Sequence, residues 1–342
     1  MSNYILPPEW AEQSGVQLTW PHADTDWNYM LDEVTECYIN VAREIAKREK
    51  LIIVTPHIEE VRNIISNVVN MDNVTLVECN SNDTWARDHA GITVIDNETG
   101  NYVITDFVFN GWGQKFEASL DNQITFNCYK KELFNADYRN MNDFILEGGS
   151  IEVDGNGSLM TTTRCLMSKF RNPQYDKEEI EDILKESFGV NNIVWINNGY
   201  LAGDDTDSHI DTLARYCPNN TIAYVKCNNS DDEHYTELKA MEEELIDAKN
   251  NDGQPYNLIA LPMADEIIFD GERLPASYAN FLIMNNTVLM PTYNQPENDK
   301  AAIEAISKAF PNYEVVGIDC VALIKQHGSL HCITMQYPKG VV

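Results

Sequence analysis

The segment SIEVDGNGSLMTT, residues 150–162, decides between the two main kinds of α/β fold. Two β-prone runs flank Asp-Gly-Asn-Gly, which is typical of a tight hairpin turn. A second hairpin is predicted where GITVI (91–95) and YVITDFVF (102–108) flank the turn-like DNETG. Hairpins join antiparallel strands, whereas the strands of a Rossmann fold are parallel. The sequence therefore predicts a mixed α/β domain rather than a Rossmann fold.

Helical and extended patterns alternate along the rest of the chain. Residues 28–48 carry apolar groups at helical spacing, which predicts an amphipathic helix there. Further helices are predicted at 58–69, 177–187, 233–249 and 297–309, and further strands at 15–20, 51–54, 74–78, 192–196, 256–261, 287–291 and 313–318. Their order has a weak β-β-α-β rhythm, which indicates internal pseudo-repeats. No G-x-G-x-x-G motif or P-loop follows a predicted strand, so no nucleotide site is predicted.

The charge of the chain restricts its partners. The 342 residues include 54 acidic and 24 basic side chains, with a formal net charge of −30. Phosphate groups repel such a field, which argues against a nucleic-acid surface. An acidic field instead concentrates small cations, although most of these charges are expected to form a solubilising surface. No apolar run reaches the roughly 18–20 residues of a membrane span, so no membrane partner is predicted.

The cysteines and the N-terminal residues indicate a cellular compartment. Eight cysteines are scattered without a C-x-x-C pair, so they do not predict a metal cluster. The first residues, MSNYILPPEWAEQSG, lack the basic and apolar regions of a secretory signal. A cytoplasmic protein with reduced thiols is therefore expected, and most of the thiols are expected to pack as small apolar groups.

Four segments contain polar residues that packing alone does not explain. In GDDTDSHIDTLARY (203–216), His209 and Asp211 are two residues apart. On an extended strand they would share one face, so an imidazole and a carboxylate would reach one site together. A solvated loop is the plain alternative. A divalent-metal site that also uses Asp204, Asp205 and Asp207 is a second alternative, since carboxylates and imidazole bind several ions.

The segment SNDTWARDHAG (81–91) contains a carboxylate close to an aromatic ring. Asp88 follows Trp85 by three residues. A carboxylate beside an indole suits a flat organic cation, because the carboxylate accepts paired N–H bonds and the ring covers the face. A surface pair between Arg87 and Asp88 is the alternative interpretation.

The segment LEGGS (146–150) places a carboxylate among apolar residues. Glu147 follows FIL and precedes two glycines. An unpaired buried carboxylate is costly, so Glu147 is expected to have a partner. A catalytic imidazole is one candidate partner, and a purely structural hydrogen bond is the alternative.

The segment HGSLHCIT (327–334) contains Cys332 next to His331. Neighbours on a strand face opposite ways, so we expect His331 to point away from Cys332. A distant imidazole must then serve the thiol, and His209 is the best candidate. With Glu147, these residues would supply a nucleophile, an acid/base and an orienting carboxylate.

Taken together, these segments resemble the agmatine deiminase family of guanidino-group-modifying enzymes, a group that also includes bacterial peptidyl-arginine deiminase. The matching motifs follow in the family's order: LPPEWAEQSGVQLTWPH, WARD, FNGWG (109–113), LEGGSIEVDGNGSL, GDDTDSHIDTLARY, LPASYANF (274–281) and LHCIT. The resemblance covers nearly the whole chain. It implies a single pentein domain over residues 1–342, a β/α-propeller of five ββαβ units around a pseudo-fivefold axis with the site in the central channel.

The resemblance also implies roles for the catalytic residues that match the family's motifs. Cys332 is similar to the family nucleophile. His209 resembles the general acid/base, and Glu147 resembles its carboxylate partner. Asp88 and Asp211 resemble the pair of carboxylates that grips the guanidinium.

The substrate-binding residues implied by the resemblance are Asp88, Asp211, Trp85 as the aromatic wall, and Gly328. One stretch departs from the family, which usually has three glycines and Asn before I-H-C-I-T. Here that stretch is Gln326, His327, Gly328 and Ser329. Because this loop borders the substrate tail, the departure concerns tail specificity.

The implied reaction is the deimination of a small cationic guanidino compound. Agmatine would be hydrolysed to N-carbamoylputrescine and ammonia through a covalent thiouronium on Cys332, as a step toward putrescine. Agmatine is favoured because few basic residues near the motifs could receive an arginine carboxylate. The close alternative is a deiminase of arginine or peptidyl-arginine, which yields citrulline. Two further alternatives are a catalytically idle cation-binding homologue and a metal-dependent hydrolase. No cofactor and no metal are expected, and a homo-oligomer is left open.

Overall fold

Short strands and helices alternate through residues 2–342, the part of the chain described by the structure, which is a computed structural model. The strands of this part are β1 Tyr4–Ile5, β2 Gln13–Thr19, β3 Lys50–Thr55, β4 Val74–Glu78, β5 Ile92–Asp96, β6 Tyr102–Val108, β7 Asp137–Ile145, β8 Ile151–Val153, β9 Ser158–Thr162, β10 Asn192–Ile196, β11 Ala214–Cys217, β12 Thr221–Lys226, β13 Asn257–Pro262, β14 Ile268–Phe269, β15 Glu272–Arg273, β16 Leu282–Met284, β17 Thr287–Thr292, β18 Glu314–Asp319 and β19 Thr334–Pro338.

Helices of four to sixteen residues connect the strands. They are α1 Leu31–Ala46, α2 Ile58–Ile65, α3 Ala86–His89, α4 Gly111–Gln114, α5 Ile124–Lys130, α6 Thr163–Leu166, α7 Lys177–Phe188, α8 Tyr235–Asp247, α9 Pro296–Ala309 and α10 Val321–Ile324. Within residues 2–342, none of them is long and apolar enough to cross a bilayer. The five predicted helices correspond to α1, α2, α7, α8 and α9, with boundaries that differ by a few residues.

Both predicted hairpins are confirmed. The strands β8 and β9 are antiparallel with Ile151 opposite Thr161, and β5 and β6 are antiparallel with Ile92 opposite Thr105. In the turn of the first hairpin, Gly155 and Gly157 have φ angles of 69° and 91°. Residues with a side chain rarely adopt positive φ angles of this size, which explains the glycines at these two positions.

Five sheets of three or four strands repeat one arrangement. In each, a central strand is antiparallel to one neighbour and parallel to the other, and the central strands are β2, β6, β9, β12 and β17. The chain passes through at least one helix between the central strand and its parallel neighbour. The sheet orders are β19-β2-β3-β4, β1-β5-β6-β7, β10-β9-β8, β11-β12-β13 and β16-β17-β18. The predicted mixed α/β class is confirmed, and four of the five sheets follow the predicted β-β-α-β order along the chain, whereas the sheet of β2 is completed by the C-terminal β19.

The helix α7 shows how local sequence sets an element boundary. The Asp176 side chain accepts the backbone N–H of Glu179, and the Glu179 side chain accepts that of Asp176 in return. This capping box satisfies two N–H groups that the first turn leaves unpaired. Gly189 ends the helix in the left-handed conformation with φ of 70°.

The connections between sheets carry the polar residues singled out in the sequence. Asp88 lies between β4 and β5, Glu147 between β7 and β8, and His209 between β10 and β11. Asn280 lies between β13 and β16, and Cys332 between β18 and β19. Each of the five sheets therefore passes into the next through a connection that supplies one of these side chains.

Candidate active site

Cys332 is buried where three connections meet. Its thiol donates to Asn280 Oδ1 at 3.3 Å, and its Sγ lies 4.0 Å from Asp211 Oδ2. The same Asn280 oxygen accepts the backbone N–H groups of Cys332 and of its neighbour His331. Asn280 is thus part of the site, although sequence reasoning gave it no role. Its position within the motif LPASYANF was the available signal.

The expectation that His331 points away from Cys332 on a strand was wrong. The strand β19 begins only at Thr334, and a turn closed by the Thr334 N–H and the His331 carbonyl precedes it. His331 Nδ1 therefore lies 2.8 Å from Asp211 Oδ2, the same oxygen that faces the thiol. The other ring nitrogen, Nε2, lies 2.8 Å from Glu9 Oε2.

A glycine marks the centre of the site. An added Cβ on Gly149 would lie 2.7 Å from His209 Nδ1, 2.9 Å from Asp88 Oδ1 and 3.0 Å from Asp211 Oδ2. The structure therefore brings the predicted imidazole and both predicted guanidinium-binding carboxylates to one point. His209 and Asp211 come from the connection between β10 and β11 and Asp88 from the one between β4 and β5, and only a residue without a side chain fits between them.

Residues 209–211 are not extended, so the strand geometry considered for this segment does not apply. His209 precedes a single 3-10 turn over Ile210–Thr212, and the backbone just before it has positive φ angles at Asp207 and Ser208. The Asp204 carboxylate fixes this loop by accepting the N–H groups of Thr206 and Ser208. His209 and Asp211 still converge, but through the turn rather than through strand alternation.

Asp88 is held in place by two neutral donors. Trp112 Nε1 donates to Oδ2 at 3.0 Å, and the Gly149 N–H donates to Oδ1 at 2.9 Å. His209 Nδ1 lies 3.6 Å from Oδ1. The alternative of a surface pair between Arg87 and Asp88 is excluded, because both side chains are buried and Arg87 donates to Gln336 instead.

Glu147 has a partner that neither interpretation of the sequence named. Arg171 Nε donates to both carboxylate oxygens at 2.9 Å, and both side chains are fully buried. Arg171 also donates to Asp207 Oδ2 at 2.6 Å. One Glu147 oxygen, the Cys165 thiol and a ring nitrogen of His209 lie within 4.8 Å of one another, so Glu147 stands beside the imidazole without a direct hydrogen bond to it.

A buried ion network lies behind Asp211. Arg215 donates to Glu9 Oε2 at 2.6 Å and pairs with Glu152, and Glu9 in turn faces His331. The acidic residue of the N-terminal PPEW motif is therefore two contacts away from Asp211. The contact of Glu9 with His331 gives the PPEW motif a place in the site. In the sequence, this motif was only one part of a resemblance.

The Cys332 thiol is uncharged in the free protein. Burial raises its pKa well above the ordinary value, and the charges of Asp211 and Asp88 raise it further. A cation between these two carboxylates would reverse the second effect, because it favours the thiolate.

The other ionisable groups of the site have pKa values that differ in direction. Burial raises the pKa of Asp88. Burial opposes protonation of His209, but the charge of Asp88, with contributions from Cys165 and Glu147, raises its pKa well above the ordinary value. Burial also works against ionised Asp211, yet the hydrogen bond from His331 and nearby positive charges lower its pKa. His209 is therefore cationic and Asp211 anionic near neutral pH.

Two buried polar atoms of the site lack a hydrogen-bond partner within residues 2–342, namely His209 Nε2 and Asp211 Oδ1. Buried polar atoms are almost always paired, so each such atom needs an explanation. Both belong to side chains that meet at Gly149. They are the donor and acceptor sites that a bound polar molecule would satisfy.

A cavity of about 380 Å³ leads from the surface to Cys332. Its lining includes the aromatic side chains of Trp85, Trp112 and Phe116, the carboxylates of Asp26, Asp83, Asp88 and Asp205, and the segment 326–328. Among the described residues, no arginine or lysine lines it. Burial raises the pKa of Asp83 to about 7 and that of Asp205 to about 6, so a bound cation would favour their ionised forms.

The segment that departs from the family pattern forms part of this cavity. Gln326 donates to the Asp26 carbonyl at 3.1 Å, and His327 Nδ1 donates to the Gly203 carbonyl at 2.7 Å. His327 has a φ of 67°, the left-handed conformation that glycine adopts most easily. The backbone of His327 thus has the conformation that glycine favours, while its side chain donates a hydrogen bond to the loop that contains Gly203.

Two carboxylates of the predicted metal alternative at residues 204–211, those of Asp204 and Asp207, are in other bonds. Asp204 accepts from Thr206 and Ser208, and Asp207 pairs with Arg171 and Lys115. Carboxylates committed to buried cations and loop N–H groups are poor metal ligands. This cluster is therefore part of the loop's own structure.

Gly328 packs against the aromatic wall, which leads to a prediction. An added Cβ would lie 2.1 Å from Trp85 Cζ3, and the glycine has no positive φ, so Gly328→Ala acts by displacing the ring. The resemblance implies that Trp85 contacts bound substrate in ground and transition states alike, so we expect KM to rise about tenfold with a smaller change in kcat. Steady-state kinetics measure this, with Gly317→Ala at an exposed position of β18 as control. Equal KM values in both variants would contradict it.

Comparison with known proteins identifies the family of this chain. The model of the Porphyromonas-type peptidyl-arginine deiminase family matches residues 5–338. A curated protein of Marinomonas sp. (strain MWYL1) named "Putative agmatine deiminase" is 32% identical over 99% of this chain and 95% of its own length. The "Putative Arginine Deiminase" of Porphyromonas gingivalis has a similar structure, with a TM-score of 0.93, 48% identity and 99% of both chains covered. Substrate-bound agmatine deiminase of C. jejuni has a TM-score of 0.92 and 36% identity over 99% of this chain and 97% of its own.

The fold and these full-length similarities define the class: an enzyme that hydrolyses carbon–nitrogen bonds of guanidino compounds. The chain belongs to the Porphyromonas-type peptidyl-arginine deiminase family. The resemblance stated from the sequence motifs is thereby confirmed.

Proposed function

We propose that this protein hydrolyses agmatine to N-carbamoylputrescine and ammonia. The observation that carries the proposal is the cavity above Cys332, which is lined by four carboxylates and by no arginine or lysine of the described chain. Agmatine carries a guanidinium at one end and an ammonium at the other, and it has no carboxylate. Acidic walls attract both of its ends, whereas the carboxylate of arginine would meet only like charge.

Substrate binding is the first step. The guanidinium lies between Asp88 and Asp211, where paired N–H···O bonds hold the planar cation. The unpartnered Asp211 Oδ1 supports this assignment. Trp85 covers a flat face of the ligand, Trp112 borders it nearly at right angles to Trp85, and Asp205 and Asp83 attract the ammonium of the tail.

The chemistry begins when the bound cation lowers the pKa of the Cys332 thiol and its proton leaves to solvent. The thiolate adds to the guanidinium carbon and forms a carbon–sulfur bond. His209, cationic in the free protein, gives its proton to one amino nitrogen, and the carbon–nitrogen bond breaks with release of ammonia. A thiouronium cation remains covalently attached to Cys332.

Hydrolysis completes the cycle. His209, now neutral, removes a proton from water, and the hydroxide adds to the thiouronium carbon. The carbon–sulfur bond then breaks, the sulfur leaves as the thiolate, and the hydroxyl proton passes to solvent as the ureido carbonyl forms, while the released ammonia takes up a proton from solvent. The sum is one guanidinium and one water converted to one ureido group and one ammonium ion.

Positioning residues hold this machinery in place. The Arg171–Glu147 pair stands beside His209, where the Glu147 charge stabilises the imidazolium. Asn280 orients the thiol, and the contact from Glu9 through His331 orients Asp211. Each of these contacts is buried, so little movement is needed at the moment of reaction.

We further propose that residues 1–342 form one pentein domain, with five units around a pseudo-fivefold axis. The five repeated sheets support this, since each one passes to the next through a connection that reaches the site. A cytoplasmic location is proposed as well, and the eight cysteines, all free thiols in the structure, support it.

A second candidate is the deimination of arginine or peptidyl-arginine. The family description and the 48% identity to the Porphyromonas gingivalis protein favour it. The positions of the arginines argue against it. Arg87, Arg171 and Arg215 bond to internal partners, and Arg164 pairs with Glu237, so none of them lines the cavity to receive a carboxylate.

The deciding experiment measures ammonia release from agmatine, arginine and an arginyl peptide under identical conditions. We expect kcat/KM for agmatine to exceed that for arginine by at least about 100-fold, which corresponds to roughly 2.7 kcal/mol of discrimination. A preference for arginine or the peptide would overturn the substrate assignment. No ammonia from any guanidine would instead favour the idle homologue, and activity lost on exhaustive chelation would favour the metal-dependent hydrolase.

The raised thiol pKa predicts a pH dependence for alkylation of Cys332. With iodoacetamide, which is neutral, the rate should rise about tenfold per pH unit from pH 7 upward, because the thiolate fraction rises with pH until the raised pKa is reached. A haloacetamidine carries a cation and should react at least about tenfold faster at neutral pH, since it occupies the place of the guanidinium. Mass spectrometry of the labelled peptide measures both rates. An iodoacetamide rate independent of pH in this range would contradict the prediction.

A further inference from the structure

Two histidines and an aspartate lie together outside the candidate active site. His22 follows β2, Asp24 lies two residues later, and His57 stands just before α2. One donor atom from each side chain lies within 4.8 Å of the other two. The two imidazole rings meet edge to face with centroids 5.5 Å apart. These side chains take no part in the mechanism proposed above.

The buried member of this cluster is held in the state that binds metals. His22 Nδ1 accepts the backbone N–H of Asp24 at 3.3 Å, so in the neutral ring the proton is on Nε2. Nε2 then donates to Ser81 Oγ at 3.1 Å. A hydrogen bond from one ring nitrogen that fixes the lone pair of the other is the usual arrangement of a metal-binding histidine.

The other members have no protein partner. Within residues 2–342, neither the His57 ring nor the Asp24 carboxylate makes a hydrogen bond or ion pair. His22, His57 and Glu60 line one cavity of about 270 Å³, next to the apolar side chains of Trp20 and Leu31. The possible metal-ligand atoms of His22, Asp24 and His57 therefore lie close together beside this cavity, and they make no hydrogen bonds to one another.

We propose that His22, Asp24 and His57 bind one Zn²⁺, with water or Glu60 in the fourth position. Zn²⁺ takes imidazole nitrogens and carboxylate oxygens in tetrahedral geometry at about 2.0–2.2 Å, which separates neighbouring donors by about 3.4 Å. Two imidazoles on one such ion have ring centroids about 5 Å apart, close to the spacing observed here. The exposed side chains of His57 and Asp24 close the remaining distance by rotation. The long bond from the Asp24 N–H to Nδ1 is the one contact that the ion displaces.

The place of the site in the fold predicts what the ion does. Ser81, which accepts from His22, begins the segment that continues through Asp83 to Trp85. An ion on the opposite nitrogen of His22 therefore ties β2 and the start of α2 to this segment. We assign the ion a stabilising role and no chemical step.

The test is isothermal titration of the tag-free, metal-stripped full chain with ZnCl₂. The Cys332→Ala background removes the active-site thiol as a competing ligand. We expect one ion per chain, a melting temperature that rises with Zn²⁺, and at least tenfold weaker binding in His57→Ala and in Asp24→Asn. Asp32→Asn, which changes an exposed carboxylate on α1, should bind as the parent does.

A spectroscopic measurement identifies the ligands. With Co²⁺ in place of Zn²⁺, nitrogen and oxygen donors give visible bands of a tetrahedral ion without the strong near-ultraviolet bands of thiolate ligands. Binding that survives both substitutions, thiolate bands, or no stoichiometric binding would each overturn the proposal. Because the readout is metal binding, these outcomes are independent of the proposed deimination.

Discussion

Replacing Cys332 with alanine should reduce ammonia release from agmatine by at least about 1000-fold while the protein stays folded. The side chain is the only thiol that lines the carboxylate-rich cavity within the described chain, and its Sγ faces both Asn280 and Asp211. Without it, no covalent path exists, and water would have to attack a resonance-stabilised guanidinium directly. Cys332→Ser should be nearly as inactive, because a serine hydroxyl remains protonated where the thiol of Cys332 is already hard to ionise.

The control for this prediction is another buried thiol. Cys227 lines a different cavity, and Cys227→Ala should keep nearly the activity of the parent protein. Circular dichroism and thermal melting establish that both variants are folded, since each removes only one small buried group. Ammonia release by Cys332→Ala at more than about a tenth of the parent rate would remove the cysteine from the mechanism.

Gly149→Ala should lower kcat/KM by at least about 100-fold, although only one methyl group is added. That methyl would lie 2.7 Å from His209 Nδ1 and within 3.0 Å of oxygens of Asp88 and Asp211. Contacts this short force the acid/base and the two substrate-binding carboxylates apart, and a misplacement of about 1 Å costs roughly 100-fold. The φ of Gly149 is not in the left-handed region, so backbone strain does not explain the expected loss.

Two neighbouring variants separate this effect from unfolding. Gly317→Ala adds a methyl at an exposed position of β18 and should leave kcat/KM unchanged. Gly148→Ala should instead lower the melting temperature, because its Cβ would lie 2.1 Å from the Arg87 carbonyl oxygen, which cannot rotate away. If Gly149→Ala kept its activity within about threefold of the parent, the convergence of the three side chains would not be what the reaction needs.

The fold class could be predicted because its signals are local. Asp176, Glu179 and Gly189 determine where α7 begins and ends, and Gly155 and Gly157 determine the turn of the hairpin. Strand β7 gave no such signal, since its side chains alternate poorly between buried and exposed. Helix α5 was missed because its seven residues are too few to show a clear period. The position of the sheets relative to one another is a long-range property that no local pattern contains.

The candidate site was predictable in its members but not in its contacts. Motif order pointed to Cys332 and His209, yet neither residue lies on a strand. Positive φ angles at Asp207 and Ser208 precede the turn at His209, and a turn between His331 and Thr334 precedes β19. Arg171 could not be paired with Glu147 from the sequence, since 24 residues separate them. The motif LPASYANF contains Asn280, but its contact with the thiol could not be predicted for the same reason, since the two are 52 residues apart.

The central claim is that Cys332 forms a covalent intermediate with a guanidino substrate. Its most direct test is acid quenching of the protein during the first turnovers of agmatine, followed by intact-protein mass spectrometry and peptide mapping. The account predicts an adduct with the mass of agmatine less one ammonia, located on Cys332 and absent from Cys332→Ala. Ammonia release without an adduct at any quench time, or an adduct on another residue, would contradict it.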